Sequence, residues 1–134
     1  MKSGRGEVIQ GALNAHLMKR AADYVFDYLA ETGSKHVFLV TGGGAMFLND
    51  ALGRCSRLKY VCCHHEQACA MAAEAYARVS GRTGIVSVTT GPGGINALNG
   101  VFGAYTDSIP MLVISGQVKL ETCMASYNLP RLRQ

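Results

Sequence analysis

The spacing of apolar and polar positions changes several times along the chain, and each change predicts a new element. Segments whose apolar side chains recur every three to four residues predict helices, and short continuous apolar runs predict strands buried in a sheet. The expected helices cover about residues 18–31, 45–54, 66–79 and 95–105, and the expected strands cover 37–40, 60–63, 85–90 and 111–114. After Gln117 the pattern dissolves.

The alternation of strands and helices, with glycine-rich connections between them, predicts an α/β fold with a parallel sheet and right-handed crossovers. A chain of 134 residues is long enough for one such domain and too short for two ordinary ones. In parallel sheets of this kind, ligands bind at the carboxyl ends of the strands. The loops that follow the strands are therefore where a functional site is expected.

Three of these loops carry residues suited to a site. Gly42-Gly43-Gly44 follows the first predicted strand, His65-Glu66 the second and Gly91-Pro92-Gly93 the third. Glycine lets a ligand approach the backbone closely because it has no Cβ, although a tight turn also favours glycine at such positions. Because the carboxyl ends of parallel strands meet at one edge of the sheet, we expect the three loops to lie together.

The glycine loops do not match the usual phosphate-binding patterns. A Walker loop needs Gly-Lys-Ser/Thr, and no lysine follows the glycines in either loop. A dinucleotide fingerprint needs G-x-G-x-x-G, but Phe47 stands in the last glycine position of the first loop and Asn96 in that of the third. A nucleotide-binding regulatory module is therefore kept only as an outside alternative.

Glu66 is the most informative polar residue of the three loops. A carboxylate in the first turn of a helix can simply complement the helix dipole. Here it follows a strand end, is flanked by histidines and precedes an apolar helix. Desolvation favours the protonated form of a carboxyl group, so Glu66 is expected to act as a proton donor or shuttle near neutral pH.

Composition and charge exclude several classes of function. The chain is 49% hydrophobic and 16% charged, with a net charge of +4. Its basic residues form no dense stripe, so we expect no nucleic-acid partner. No apolar segment approaches the roughly 18 residues needed to cross a bilayer, so we expect no membrane partner either. Residues 1–17 are expected to be a leader or linker, and 18–134 the domain itself.

The five cysteines favour a reducing compartment, and we expect a cytoplasmic protein. Cys62 and Cys63 are neighbours on a predicted strand, so their side chains point to opposite faces and are poorly placed to bridge each other. The run from Cys62 to His65 contains metal-binding residue types, but four consecutive side chains cannot converge on one tetrahedral zinc. We expect a buried strand leading into a polar turn.

Several motifs in one order resemble the thiamine-diphosphate enzymes of the acetolactate synthase group. They span about residues 19–118 and comprise His65-Glu66-Gln67, Ala73-Glu74-Ala75-Tyr76-Ala77-Arg78, Ser80-Gly81-Arg82-Thr83-Gly84, Thr90-Gly91-Pro92-Gly93-Gly94-Ile95-Asn96, Asp107-Ser108-Ile109-Pro110 and Ser115-Gly116-Gln117-Val118. The resemblance implies the N-terminal pyrimidine-binding domain of such an enzyme. Its fold would be a three-layer parallel sheet with helices on both faces.

The resemblance also implies roles for individual residues. Glu66 matches the catalytic glutamate of the family, which hydrogen-bonds N1′ of the aminopyrimidine and so promotes loss of the C2 proton of the thiazolium. Gly43 and Gly44 match the loop beside the pyrimidine, and Pro92 and Asn96 match residues that line its pocket. The implied cofactor is thiamine diphosphate, and no metal ligand is expected in this chain.

Three further positions carry weaker expectations. The first glycine loop, Thr41-Gly42-Gly43-Gly44, lacks the proline that the family commonly has there. His65 is expected to shape the mouth of the site. Gln117 is expected to be a structural residue at a strand end and not a ligand.

In the family, the diphosphate and its Mg²⁺ are held by a separate domain that carries Gly-Asp-Gly and Asn-Asn, and neither motif occurs in this sequence. The family's pyrimidine domain has six strands, of which four are recognisable here. We therefore expect a C-terminally incomplete domain, inactive alone, that needs a diphosphate-binding domain on the same or a second chain. Fragment, truncated gene and small subunit remain open.

Two activities remain open for the parent enzyme. In the first, a 2-oxo acid is decarboxylated and the product is joined to a second carbonyl compound, as in acetolactate synthases. In the second, a 2-oxo acid is decarboxylated or oxidised without an acceptor. We also expect a homo-oligomer, associating through the alanine-rich helix 66–79, since small side chains permit close helix packing.

Overall fold

A four-stranded parallel sheet forms the centre of the molecule, and its strand order is β2-β1-β3-β4. The computed structural model describes residues 18–123, so the expected leader at 1–17 lies outside the described residues. The helices are α1 (Ala21–Glu31), α2 (Met46–Arg54), α3 (Glu66–Ser80) and α4 (Pro92–Thr106), and the strands are β1 (His36–Leu39), β2 (Lys59–Cys62), β3 (Gly84–Val88) and β4 (Met111–Ser115). Short 3-10 turns lie at Gly43–Ala45 and Leu120–Thr122.

Side chains alternate across the sheet and build one apolar cluster on each face. Val37, Leu39 and Ile85 pack with residues of α1 and α2 on one face. Val86 and Val88 pack with residues of α3 and α4 on the other. The predicted three-layer arrangement, with helices on both faces of a parallel sheet, is therefore confirmed. Within this part of the chain, no helix is both long and apolar enough to cross a membrane.

The second strand departs from the sequence-based expectation. It was expected to be buried, but all four residues of β2 are exposed. β2 pairs with β1 alone and forms one edge of the sheet. A continuous apolar run such as Tyr60-Val61-Cys62-Cys63 is typical of a central strand. The apolar pattern alone, however, does not distinguish a central strand from an edge strand.

The boundaries of β3 and α4 also differ from the expected ones. The β-branched run predicted a strand through residue 90, but β3 ends at Val88 and leaves Thr89 and Thr90 in the connection. Helix α4 begins at Pro92, three residues earlier than expected. Proline suits the first turn of a helix because its fixed φ is helical and its missing N–H has no helical partner there.

Candidate functional site

The three loops predicted to meet at the carboxyl edge of the sheet do so. The backbone N–H of Gly44 donates to Thr89 Oγ1 over 3.1 Å, which joins the first loop to the third. Asn96 Nδ2, in the second turn of α4, donates to Glu66 Oε2 over 3.0 Å, which joins the third to the second. Hydrogen bonds between loops therefore hold this edge together.

Glu66 is the first residue of α3, and its position is set by the residue before it. His65 has an extended backbone and caps the helix, since its Nδ1 accepts a hydrogen bond from the backbone N–H of Gln67 over 3.1 Å. His65 is exposed and Glu66 is half-buried. The cap fixes where the helix starts, and so places Glu66 after the short connection of three residues that follows β2.

Asn96 and Gly93 enclose the Glu66 carboxylate from the side of α4. Asn96 binds one oxygen, Oε2. A Cβ at Gly93 would lie 3.3 Å from the other oxygen, Oε1. Pro92 begins α4 one turn before Asn96, so the two residues lie on the same face of that helix. The first turns of α4 thus build one wall of the site.

The pKa of Glu66 is shifted in the direction opposite to that expected from burial. Its pKa lies below the ordinary value of a glutamate because Asn96 hydrogen-bonds the carboxylate, its own backbone N–H adds a second hydrogen bond, and His65 contributes a smaller attraction. Partial burial raises the pKa, but this effect is outweighed. The role of Glu66 as a proton donor or shuttle near neutral pH stays a prediction, and burial alone does not support it because the pKa is lowered.

Gly43 and Gly44 occupy different environments. A Cβ at Gly44 would lie 2.8 Å from Thr90 Cγ2 and 3.0 Å from Thr89 Oγ1, so packing within the chain already requires glycine there. A Cβ at Gly43 would meet nothing within 4 Å, and the residue is exposed. Packing inside the described chain therefore gives no reason for glycine at 43, and this position leaves the backbone open to a ligand.

Thr89 and Thr90 connect the loops at the carboxyl edge of the sheet through their hydroxyl groups. The sequence did not identify either residue as part of the site, because both were assigned to a strand. Thr90 Oγ1 donates to Gln117 Oε1 over 2.8 Å, and the backbone N–H of Gln117 donates to the carbonyl of Gly44 over 3.1 Å. These contacts agree with the structural role expected for Gln117. Two hydroxyl-bearing residues between a strand and a glycine turn were the signal available in the sequence.

The cysteines and other potential metal ligands form no metal cluster in the part of the chain that the structure describes. All five cysteines, which fall within residues 18–123, are free. Cys69 lies fully buried in the α3–α4 cluster, and burial raises the pKa of its thiol to about 12. A thiol in this environment is unreactive at neutral pH because the thiolate is the nucleophilic form.

Comparison with known proteins gives a consistent picture. Residues 19–128 match the family model described as thiamine pyrophosphate enzyme, N-terminal TPP binding domain. The chain is 44% identical over 97 residues to the acetolactate synthase large subunit of Buchnera aphidicola, covering 72% of this chain and 17% of that relative. It is 43% identical over 101 residues to the acetolactate synthase isozyme 3 large subunit of Escherichia coli, covering 75% and 18%.

A plant relative has a similar identity and covers a similar share of each chain. The chloroplastic acetolactate synthase of Arabidopsis thaliana is 41% identical over 100 residues, which are 75% of this chain and 15% of that relative. The chain thus spans less than one fifth of the length of each of these relatives.

Proposed function

Because the chain belongs to the family of N-terminal TPP-binding domains of thiamine pyrophosphate enzymes, we propose that its carboxyl edge binds the aminopyrimidine ring of thiamine diphosphate. The observation that carries the proposal is the Glu66 carboxylate, held by Asn96 where three strand-end loops meet. Such an edge is where α/β sheets bind ligands.

The residues at this edge fit an aminopyrimidine. Asn96 binds Glu66 Oε2, and no other side chain in residues 18–123 donates a hydrogen bond to the carboxylate. Gly43 leaves exposed backbone near the same edge. A charged acceptor beside open backbone suits a flat ring that carries hydrogen-bonding groups on its rim.

The proposed roles follow from these positions. Thiamine diphosphate, when bound, supplies the carbanion chemistry at C2 of its thiazolium ring. Glu66 is placed to share one proton with N1′ of the pyrimidine: as the acid it donates the proton to the ring nitrogen, and as the carboxylate it then accepts the hydrogen bond from N1′–H. Asn96 orients Glu66, while Gly43, Gly44 and Pro92 shape the walls of the ring's binding site.

For the whole protein we propose an enzyme of the acetolactate synthase type, acting on a 2-oxo acid and joining the product to a second carbonyl compound. Relatives that carry this name and are 41–44% identical to the chain support this activity over a decarboxylase that uses no acceptor. We propose that Mg²⁺ and the diphosphate are held by a separate domain, on the same or a second chain. The 134 residues alone would then be inactive.

We further propose a cytoplasmic location and self-association. The free state of all five cysteines supports a reducing compartment. Exposed apolar side chains along α4, at Ile95, Leu98, Phe102 and Tyr105, support a contact with a second copy of the chain.

The test of the site is Glu66→Gln in an assembly that contains this domain and a diphosphate-binding domain. An amide cannot hold the N1′ proton as a carboxylate does, so hydrogen–deuterium exchange at C2 of bound thiamine diphosphate should slow by about 10²–10⁴-fold while the cofactor stays bound. Glu31→Gln is the control, because Glu31 lies exposed at the end of α1. Equal exchange rates in Glu66→Gln and the unaltered protein would overturn the proposal.

A further inference from the structure

The side chain of Thr89 contacts both the first glycine loop and the turn that encloses Glu66. It lies between the end of β3 and the start of α4. We propose that Thr89 is a positioning residue that sets the spacing between the Gly42–Gly44 loop and the Glu66 edge. The inference rests on the function proposed above and adds to it a residue that acts through the glycine loop and through Gly93.

The hydroxyl group of Thr89 holds the glycine loop. Its Oγ1 accepts the hydrogen bond from the backbone N–H of Gly44 over 3.1 Å. The backbone of Gly42 lies against the same side chain, since a Cβ there would come within 2.5 Å of Thr89 Cβ. The loop therefore packs directly on Thr89, and its amide is tied to the hydroxyl.

The methyl group of Thr89 contacts the other side of the site. A Cβ at Gly93 would lie 2.8 Å from Thr89 Cγ2, and the same Cβ would lie 3.3 Å from Glu66 Oε1. Gly93 is thus packed between the threonine methyl group and the carboxylate. One side chain contacts both walls of the site, with its hydroxyl on one side and its methyl group on the other.

Thr89 is itself anchored to the sheet. Its carbonyl oxygen accepts a hydrogen bond from Ser115 Oγ over 3.0 Å, at the end of β4. The preceding residue, Val88, is the last of β3; it is buried and accepts a hydrogen bond from the backbone N–H of Gly116. Thr89 is therefore held at the end of the sheet on the side where the two walls of the site meet.

Two substitutions separate the two functions of the side chain. Thr89→Val keeps the shape and the methyl group but removes the acceptor for the Gly44 amide. Thr89→Ser keeps the acceptor but removes the methyl group. Thr106→Val is the matched control, because Thr106 is exposed at the far end of α4 and its hydroxyl bonds only the carbonyl of Phe102 among the described residues.

The first measurement is amide hydrogen exchange in the 134-residue chain, which needs no cofactor. The Gly44 amide should exchange about tenfold faster in Thr89→Val, since its hydrogen bond is lost, while amides of β1 and β3 keep their rates. Thr89→Ser should keep the slow Gly44 exchange, and so should Thr106→Val. Unchanged Gly44 exchange in Thr89→Val, or equal loss of protection in Thr89→Ser, would overturn the proposal.

The second measurement separates positioning from a general loss of stability. In an assembly with a diphosphate-binding domain, Thr89→Val should raise the concentration of thiamine diphosphate needed for half-saturation by about tenfold, and the C2 exchange rate at saturation should stay within about twofold. An effect on the saturated rate with unchanged half-saturation would overturn the role of Thr89. If the positioning result holds but Glu66→Gln leaves C2 exchange unchanged, the proposed function fails and the inference about loop spacing stands.

Discussion

The contact between Glu66 and Asn96 sets the direction in which the pKa of Glu66 is shifted. They are 30 positions apart in the sequence, on the first turn of α3 and the second turn of α4. Half-burial alone favours a neutral carboxyl group. The hydrogen bond from Asn96 reverses this, because it stabilises the charged form more than burial destabilises it. In the described chain Glu66 Oε2 accepts this hydrogen bond.

Asn96→Ala should raise the pKa of Glu66, since the largest cause of its lowering is removed. A carboxyl-carbon NMR titration measures this, and substitution of Asn99, an exposed asparagine on the same helix, by alanine should leave the pKa of Glu66 unchanged.

A lowered pKa of Glu66 also stabilises the fold above the ordinary glutamate pKa of about 4.3. That contribution should be lost as the pH falls through the lowered pKa, and Glu66→Gln should not show it. An unchanged Glu66 pKa in Asn96→Ala would contradict this account.

Two buried serines allow a matched test of how a hydroxyl group in the core changes the free energy of unfolding. Ser34 and Ser87 are both 1% exposed. Ser34 Oγ donates to the carbonyl of Thr83 over 2.8 Å, whereas Ser87 Oγ has no partner among the described residues. Ser87→Ala should stabilise the fold by about 1 kcal/mol, and Ser34→Ala should destabilise it by about the same amount. Urea unfolding measures both free energies, and the dependence of the unfolding free energy on urea concentration should stay unchanged. A destabilised Ser87→Ala would show that the Ser87 hydroxyl is hydrogen-bonded.

At the scale of elements, the sequence predicts the type of the four α-helices and the four strands, because the helices have an apolar period of three to four residues and the strands are continuous apolar runs. It does not predict which strand lies at the edge, since the apolar run of β2 is the same whether one strand or two pair with it. It also assigns Thr89 and Thr90 to β3, because β-branched residues favour strands. The contact of Asn96 with Glu66 could not be predicted, because it depends on how α3 and α4 pack and not on spacing within either helix.

The packing of α3 on α4 depends on a glycine. A Cβ at Gly100 would lie 2.5 Å from Ala70 Cβ and 2.8 Å from the Ala70 carbonyl carbon. Gly100→Ala should therefore destabilise the fold by about 1–3 kcal/mol, because two helices must move apart. Gly53→Ala is the control, since it also lies in a helix and its Cβ would meet nothing within 4 Å. It should be neutral or stabilising by about 0.5–1 kcal/mol. Equal effects on unfolding would show that α3 and α4 are not in close contact.

At the scale of the whole molecule, the alanine-rich helix has a use inside the domain, and the expected association through it stays a prediction. Ala70, Ala73 and Ala77 of α3 are buried inside the chain, with Ala70 and Ala73 in the cluster formed with α4 and the sheet. The small side chains therefore permit close packing within the domain. Several large apolar side chains are exposed on α4, among them Phe102 at 71% and Tyr105 at 82%. If two copies associate, α4 offers the larger apolar contact.

Association through α4 can be tested by changing its most central exposed aromatic residue. Exposed apolar side chains repeat along the helix at Ile95, Leu98, Phe102 and Tyr105, so they form one stripe that a second copy can bury. Phe102→Ser should weaken self-association by about tenfold or more, because aromatic residues near the centre of an interface carry much of its binding energy.

The control for Phe102→Ser is Tyr28→Ser, since Tyr28 is an exposed aromatic residue on α1, on the other face of the sheet. Sedimentation equilibrium over a range of concentrations measures both. A monomer at all concentrations in the unaltered chain, or equal weakening by Tyr28→Ser, would exclude α4 as the contact.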